Sequence, residues 1–234
     1  MTADAQMAAE FYATTRGVVA HLLLRERLLR SWPSLRGLSL LGLGYAAPYL
    51  RAWPDAARGV AVVPAQVGAA WHHGRRGNVA CTAEEDALPF PDLCFDRILL
   101  VHGLEAAENA RAMLREVWRV LKDDGRLLVV APNRMGLWAH VEATPFGHGQ
   151  PYSPGQIERL LASSLFRVER RDTALHMPPV RLRLMLRSAR AWERAGRRLL
   201  PQFAGVTLTE AVKDVYAGLP VQKARRRLVV SQAA

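Results

Sequence analysis

The sequence is short of cysteine, short of acid and without a long apolar run. Each shortage closes off a class of protein. Two cysteines, Cys81 and Cys94, occur in 234 residues. That is too few for a disulfide framework, and neither sits in a Cys-x-x-Cys pair or a Cys/His cluster that would hold zinc. The adjacent histidines of "WHHG" at 71–74 would leave a helix in different directions and read as a loop or surface pair. No metal is expected. No stretch approaches the roughly 18 apolar residues of a membrane span. The opening "MTADAQMAAEFYATTRG" carries acids and no apolar stretch of signal-peptide type, so a cytoplasmic location is expected. Acidic residues number 21 against 32 Lys and Arg, a net charge of +11. The surplus is local. Arg181 to Arg198, "RLRLMLRSARAWERAGRR", holds seven arginines and one acid, and "KARRR" follows at 223–227. Such a chain is drawn to nucleic acid, anionic lipid or acidic small molecules, or else carries a solvated basic face.

What is present is an alternation of strand and helix patterns. Half the residues are hydrophobic, enough to bury a core within one large α/β domain. No internal repeat or low-complexity segment appears. Residues 5–30 read as one helix, with Val18, Val19, Leu22, Leu23 and Leu29 at helical spacing, and "SWPSLRG" breaks it. Strands are expected at Leu38–Leu41, Gly59–Val63, Asn78–Cys81, Phe95–Val101 and Arg126–Ala131. The continuous apolar run of "FDRILLV" predicts burial on both faces. A short helix fits Ala46–Trp53. Glu105–Leu121 is amphipathic through Met113, Leu114, Val117, Val120 and Leu121, with the glycine of "KDDG" as its stop. Residues 133–152, rich in Gly, Pro and aromatics, read as a loop or lid. Ser153 caps a helix through Ala162, helped by Pro154 and Gln156. Phe166–Ala174 is a sixth strand, a basic helix follows, and Gly205–Lys213 is the last strand.

This pattern predicts an α/β fold: a Rossmann-like doubly wound sheet, mostly parallel with an antiparallel last strand, and helices on both faces. The single domain over 1–234 divides into an N-terminal helical extension (1–34), a core (35–131), a lid loop with helix and basic helical insertion (132–204), and the last strand with tail (205–234). Such sheets bind ligands at the carboxyl ends of their strands.

Three stretches carry a resemblance. "LSLLGLGYAAPYL" at 38–50 is a strand entering a Gly-x-Gly turn. "EEDALPFPDLCFDRILLVHGLE" at 84–105 ends in a buried strand and a His-bearing turn. "LREVWRVLKDDGRLLVVAPN" at 114–133 is a helix–turn–strand. In this order, over about residues 35–172, the chain resembles class I S-adenosylmethionine-dependent methyltransferases of the branch acting on small molecules, lipids or quinones. The resemblance implies S-adenosylmethionine as cofactor. It places Gly42, Leu43, Gly44 and Tyr45 at the glycine turn, where a missing Cβ lets the cofactor approach the backbone. It places Glu84 where the family often has an acid for the adenine amino group, with Glu85 and Asp86 as rivals and Leu88 and Phe90 flanking the ring. Pro64 and Gln66 fall at the end of the second strand, and His102 past the fourth. Two departures stand out. Leu40 and Leu41 precede the glycines where an acid is common. Gln66 stands where an acid usually holds the ribose, and its uncharged hydrogen bond is about half as strong.

Methyl transfer asks mainly for positioning and, for some nucleophiles, removal of a proton. His102, an imidazole suited to proton transfer, is the candidate catalytic base and also lies at the cofactor side, with Glu105 three residues on. His140 and His148 are weaker candidates. Trp138, Phe146 and Tyr152 would wall an acceptor site, or else pack the long insertion. The expected acceptor is a small or lipid-like molecule. Residues 181–199 suit an anionic membrane surface, and equally a helix packed on the core with a basic outer face. Two other readings compete: a non-catalytic methyltransferase-like binding protein, and an RNA methyltransferase. Nucleic acid ranks below a small molecule because no separate RNA-binding module is visible, and no Asn/Asp-Pro-Pro-aromatic run follows the fourth strand. The sequence does not set the oligomeric state.

Overall fold

The computed structural model describes residues 2–64, 78–180 and 183–215. Seven strands form one sheet in the order β3-β2-β1-β4-β5-β7-β6. They are β1 (Ser39–Gly44), β2 (Arg58–Pro64), β3 (Asn78–Ala83), β4 (Phe95–Val101), β5 (Leu121–Pro132), β6 (Phe166–Ala174) and β7 (Val206–Lys213). The first five pair in parallel, and β7 runs antiparallel to both β5 and β6. Chain order reverses direction at β1, which lies between β2 and β4.

The central strands read both ways into core, as a parallel sheet covered on two faces requires. In β4, Leu99 and Val101 join the cluster formed by Leu23, Leu24 and Leu28 of α2 (Thr15–Ser31) and Tyr49 and Leu50 of α3 (Ala47–Leu50). Ile98 and Leu100 alternate onto the other face. There they meet Met113, Leu114, Val117 and Val120 of α4 (Ala110–Val120) and Ile157 and Leu161 of α5 (Pro154–Ser163). Ile98 through Val101 are fully buried, each contributing about 1.5–3 kcal/mol of apolar burial. The carboxyl end of β4 is therefore firmly held.

The expected caps form at α5. The Ser153 side chain accepts from the Gln156 backbone, and the Gln156 side chain accepts from Ser153 N–H. Several boundaries move for local reasons. The N-terminal helix is two helices, α1 (Thr2–Ala13) and α2, turning at Thr14. Thr14 Oγ1 accepts from Gly17 N–H at 3.0 Å, and a Cβ on Gly17 would lie 2.0 Å from the Phe11 carbonyl oxygen, so this corner requires glycine. The buried stripe of α2 is Ala20, Leu23, Leu24, Arg27 and Leu28, while Val18 and Leu22 are exposed. α4 starts at Ala110 because Asn109 caps it, its Oδ1 accepting from Ala112 N–H at 3.0 Å. Gly125 does not stop that helix. β5 begins at Leu121, which pairs with Phe95.

The basic segment forms α6 (Arg183–Arg187) and α7 (Ala189–Leu199). α7 packs on the chain after β6. Buried Glu193 accepts from His176 N–H at 2.6 Å, and a Cβ on Gly196 would lie 2.4 Å from His176 Cβ. Arg190, Arg194 and Arg198 face outward. This is the core-packed arrangement with a basic outer face. No helix among the described residues is long and apolar enough to cross a membrane.

Candidate active site

At the carboxyl ends of β1, β2 and β3 a narrow cleft is lined by Leu43, Gly44, Val62, Ala83, Glu85, Leu88 and Met113. Its walls are apolar and its ionisable group is Glu85. Burial, together with the nearby carboxylates Glu108, Asp86 and Glu84, raises the Glu85 carboxyl to about 7. Glu84 is exposed and bridges Ala87 through the backbone. The turn therefore presents Glu85, rather than Glu84 or Asp86, to the cleft. Arg119 of α4 pins the following loop. It donates to Leu88 O (2.9 Å), Phe90 O (2.8 Å), Asp92 (2.7 Å) and Glu116 (2.7 Å), while Leu88 N–H donates to Glu116 Oε2 at 2.9 Å.

The two glycines of the turn serve the fold. A Cβ on Gly42 would lie 2.9 Å from Ala46 Cβ and 3.0 Å from Leu50 Cδ2, so this glycine seats α3 on β1. Gly44 adopts φ +67, and a Cβ there would lie 2.4 Å from the Val101 carbonyl oxygen. The same carbonyl accepts from Tyr45 N–H at 2.6 Å, which locks the ends of β1 and β4 together. At both glycines the chain itself fills the space that a Cβ would take. Gly44 and Leu43 still line the cleft. Pro64 ends β2 in register with Ala83, and Gln66 lies outside the described residues, as do the histidines of "WHHG".

His102 follows β4 at the reversal in strand order. It adopts φ +50, a left-handed conformation that costs a non-glycine residue about 1–3 kcal/mol and recurs at functional sites. Its Nδ1 lies 2.9 Å from Glu105 Oε1, with side-chain exposures of 7% and 3%. An ionised carboxylate can only accept, so Nδ1 carries the proton and Nε2 of the neutral ring is free to accept. At Nε2 stands the Tyr12 hydroxyl, 2.9 Å away. Tyr49 O–H donates to Tyr12 Oη at 3.2 Å. The result is a buried chain Tyr49–Tyr12–His102–Glu105. The second Glu105 oxygen is buried without a hydrogen-bond partner.

Aromatic rings enclose this network. Tyr12 stacks on Tyr45 (centroids 5.1 Å apart, planes 8° apart), and Phe146 meets His102 edge-on at 4.8 Å. Phe146 and Trp138 are fully buried with Phe11, and Trp138 N–H donates to Met177 O at 2.7 Å. These two rings pack the insertion, with Phe146 also touching His102. Tyr152 is half-buried and reaches Leu104 O at 3.5 Å. The insertion clips onto the Glu105 turn: Gln150 N–H donates to Glu105 O at 2.9 Å, and a Cβ on Gly149 would lie 2.2 Å from that oxygen. His140 is exposed, and His148 bonds the Glu142 carbonyl. No group of three metal-ligating side chains occurs among the described residues.

Tyr12 and Tyr49 are the site residues that sequence reasoning missed. Reading residues 5–30 as one helix left Tyr12 on an extension. The signal was Thr14 with Gly17 three residues later, a cap and a glycine corner that fold α1 back over the strand ends.

At the level of fold, the chain is similar to solved S-adenosylmethionine-dependent methyltransferases. The Archaeoglobus fulgidus enzyme superposes with a TM-score of 0.61, covering 87% of this chain and 96% of that one at 17% identity. In sequence, residues 40–129 match the family model of the methyltransferase domain. An uncharacterised Mycobacterium tuberculosis protein is 33% identical over 129 residues, 52% of this chain and 45% of that protein. The chain thus spans about half the length of that relative. The ubiquinone/menaquinone biosynthesis C-methyltransferase of Proteus mirabilis is 46% identical over 59 residues, 25% of this chain and 24% of that enzyme.

Proposed function

We propose that the chain is a methyltransferase that uses S-adenosylmethionine to methylate a small-molecule acceptor, with His102 as the base and Glu105 as its orienting partner. The observation that carries the reading is the 2.9 Å pair of His102 Nδ1 and Glu105 at the carboxyl end of β4, beside the β1 turn. A doubly wound sheet gathers its reacting groups at this reversal. The cleft suits the adenosyl part of the cofactor. Val62, Leu88 and Met113 offer apolar surface for a flat ring, and Glu85 offers an acceptor for its amino group.

The bound cofactor supplies an electrophilic methyl group. The chain supplies the rest. Glu105 holds Nδ1–H and so keeps the Nε2 lone pair directed at the acceptor's hydroxyl. When that proton moves to Nε2, the imidazolium is balanced by the carboxylate 2.9 Å away. Phe146 and Tyr45 exclude water from the ring. Local likeness to a quinone C-methyltransferase supports a small molecule over a nucleic acid.

The test is calorimetric titration with S-adenosylmethionine and S-adenosylhomocysteine. Micromolar binding that weakens in Glu85→Ala and persists in Glu84→Ala is expected. No binding of either ligand by the wild type would overturn the reading in favour of a non-catalytic binding protein.

A further inference from the structure

The partner of His102 Nε2 is a phenol of the chain itself. Tyr12 comes from α1, 90 residues before the histidine, and its ring lies flat on Tyr45 with Tyr49 edge-on at 6.3 Å. Burial and the neighbouring tyrosines raise its pKa well above the ordinary phenol value. The hydroxyl therefore keeps its proton at neutral pH and is neither base nor nucleophile. It fills a place: a flat slot with one hydrogen-bond acceptor at its end. That acceptor is the atom from which the proposed base must work.

We propose that Tyr12 stands in for the acceptor, and that the acceptor is a planar hydroxyaromatic molecule which takes the place of Tyr12, its ring on Tyr45 and its hydroxyl on His102 Nε2. This rests on the methyltransferase reading for its chemistry, but the slot and its occupant are observable without it. Entry requires α1 to withdraw Tyr12. The Thr14–Gly17 corner supplies the turning point, because α1 joins α2 through that corner and continues no regular helix across it. The proton step balances within the network: the acceptor's O–H bond breaks, an N–H bond forms at Nε2, and the charge on the ring is met by Glu105. The unpartnered Glu105 Oε2 offers a site for one further donor, such as a second ring hydroxyl or a water.

The experiment measures binding rather than turnover. 4-Methylphenol and toluene, which have the same shape with and without the hydroxyl, are titrated by calorimetry into the wild-type 234-residue chain, Tyr12→Ala and Tyr12→Ala/His102→Phe. Removing the internal competitor is expected to tighten 4-methylphenol at least tenfold relative to wild type. Toluene is expected to bind Tyr12→Ala at least tenfold more weakly than 4-methylphenol, and the double variant to lose that preference. Equal binding of the two probes by Tyr12→Ala would reduce the slot to a plain apolar cavity and overturn the proposal. So would a hydroxyl preference that survives loss of His102. Tyr12→Leu, which keeps an apolar side chain in the cluster, gives the same comparison should the alanine variant fail to fold. The cofactor titration on the same samples separates the two claims: failure there with retained phenol selectivity removes the methyltransferase reading and leaves the slot.

Discussion

Tyr12 of α1 and His102 at the end of β4 share a 2.9 Å hydrogen bond across 90 residues of sequence, and through it the N-terminal extension becomes part of the site. Tyr12→Phe keeps the ring and removes the hydroxyl. It leaves Nε2 of His102 and the hydroxyl of Tyr49 each short of a partner, at a cost of about 1–2 kcal/mol. Urea denaturation of the two proteins measures this. A difference under about 0.3 kcal/mol would mean that the phenol makes no effective bond.

Gly44→Ala should be severe. The residue has φ +67, and the added Cβ would meet the Val101 carbonyl oxygen at 2.4 Å, which itself holds Tyr45 N–H. The expected loss is about 2–4 kcal/mol, since conformational strain and displacement of the β4 end act together. Gly37→Ala is the control: its φ is +76 but nothing lies within 4 Å of the added atom, so it carries the strain without the collision. Equal losses in the two variants would contradict the role given to Val101.

If Glu85 holds the adenine amino group as proposed, cofactor affinity is expected to depend on pH. Its carboxyl is raised to about 7, so below that pH it is mostly protonated. An adenine amino group donates best to the ionised form. Binding then requires release of the proton, and affinity rises with pH up to about 7 and levels off above it. Calorimetry between pH 5.5 and 8.5 should show this for wild type and a flatter profile for Glu85→Gln. An affinity that falls as pH rises would sink the adenine contact.

Glu193 ties stability to pH in a direction unusual for a carboxylate. It is 4% exposed, and burial raises it from 4.5 to about 7 despite the 2.6 Å bond from His176 N–H. Between those values the native protein holds a proton that the unfolded chain has released. Stability from this group therefore falls as pH rises through that window and is constant above it. Glu193→Gln keeps an oxygen for His176 N–H and carries no charge. At pH 8 it should exceed wild type by on the order of 1–3 kcal/mol, with the advantage gone by pH 5. Thermal unfolding at the two pH values decides it.

The sheet was readable because its strands are marked twice, by apolar runs and by turn residues. "FDRILLV" and Phe166–Ala174 fall where expected to the residue. The capping box at Ser153 was legible for the same reason: its chemistry is local. The helix split at Thr14 was not, because apolar spacing continues across it and only a side-chain cap and one glycine mark the corner. His102 and Glu105 were visible as neighbours in sequence. Tyr12 was not, since its partners are set by how α1 folds back, a tertiary fact with no periodic signature. The choice of Glu85 over Glu84 depended on the register of a single turn, which periodicity does not resolve.

The Arg119 bonds described above divide the site into two kinds of wall. On the side of Leu88 and Glu85 the loop is bolted to α4 by its Leu88 and Phe90 carbonyls, the Asp92 carboxylate and the Leu88 N–H that donates to Glu116, so that jaw is held in place. On the side of Tyr12 the jaw belongs to a helix joined through one corner. A ligand in the fixed jaw is selected by shape already present. A ligand in the yielding jaw must first displace a tyrosine, and so is selected by how well it repeats what that tyrosine does.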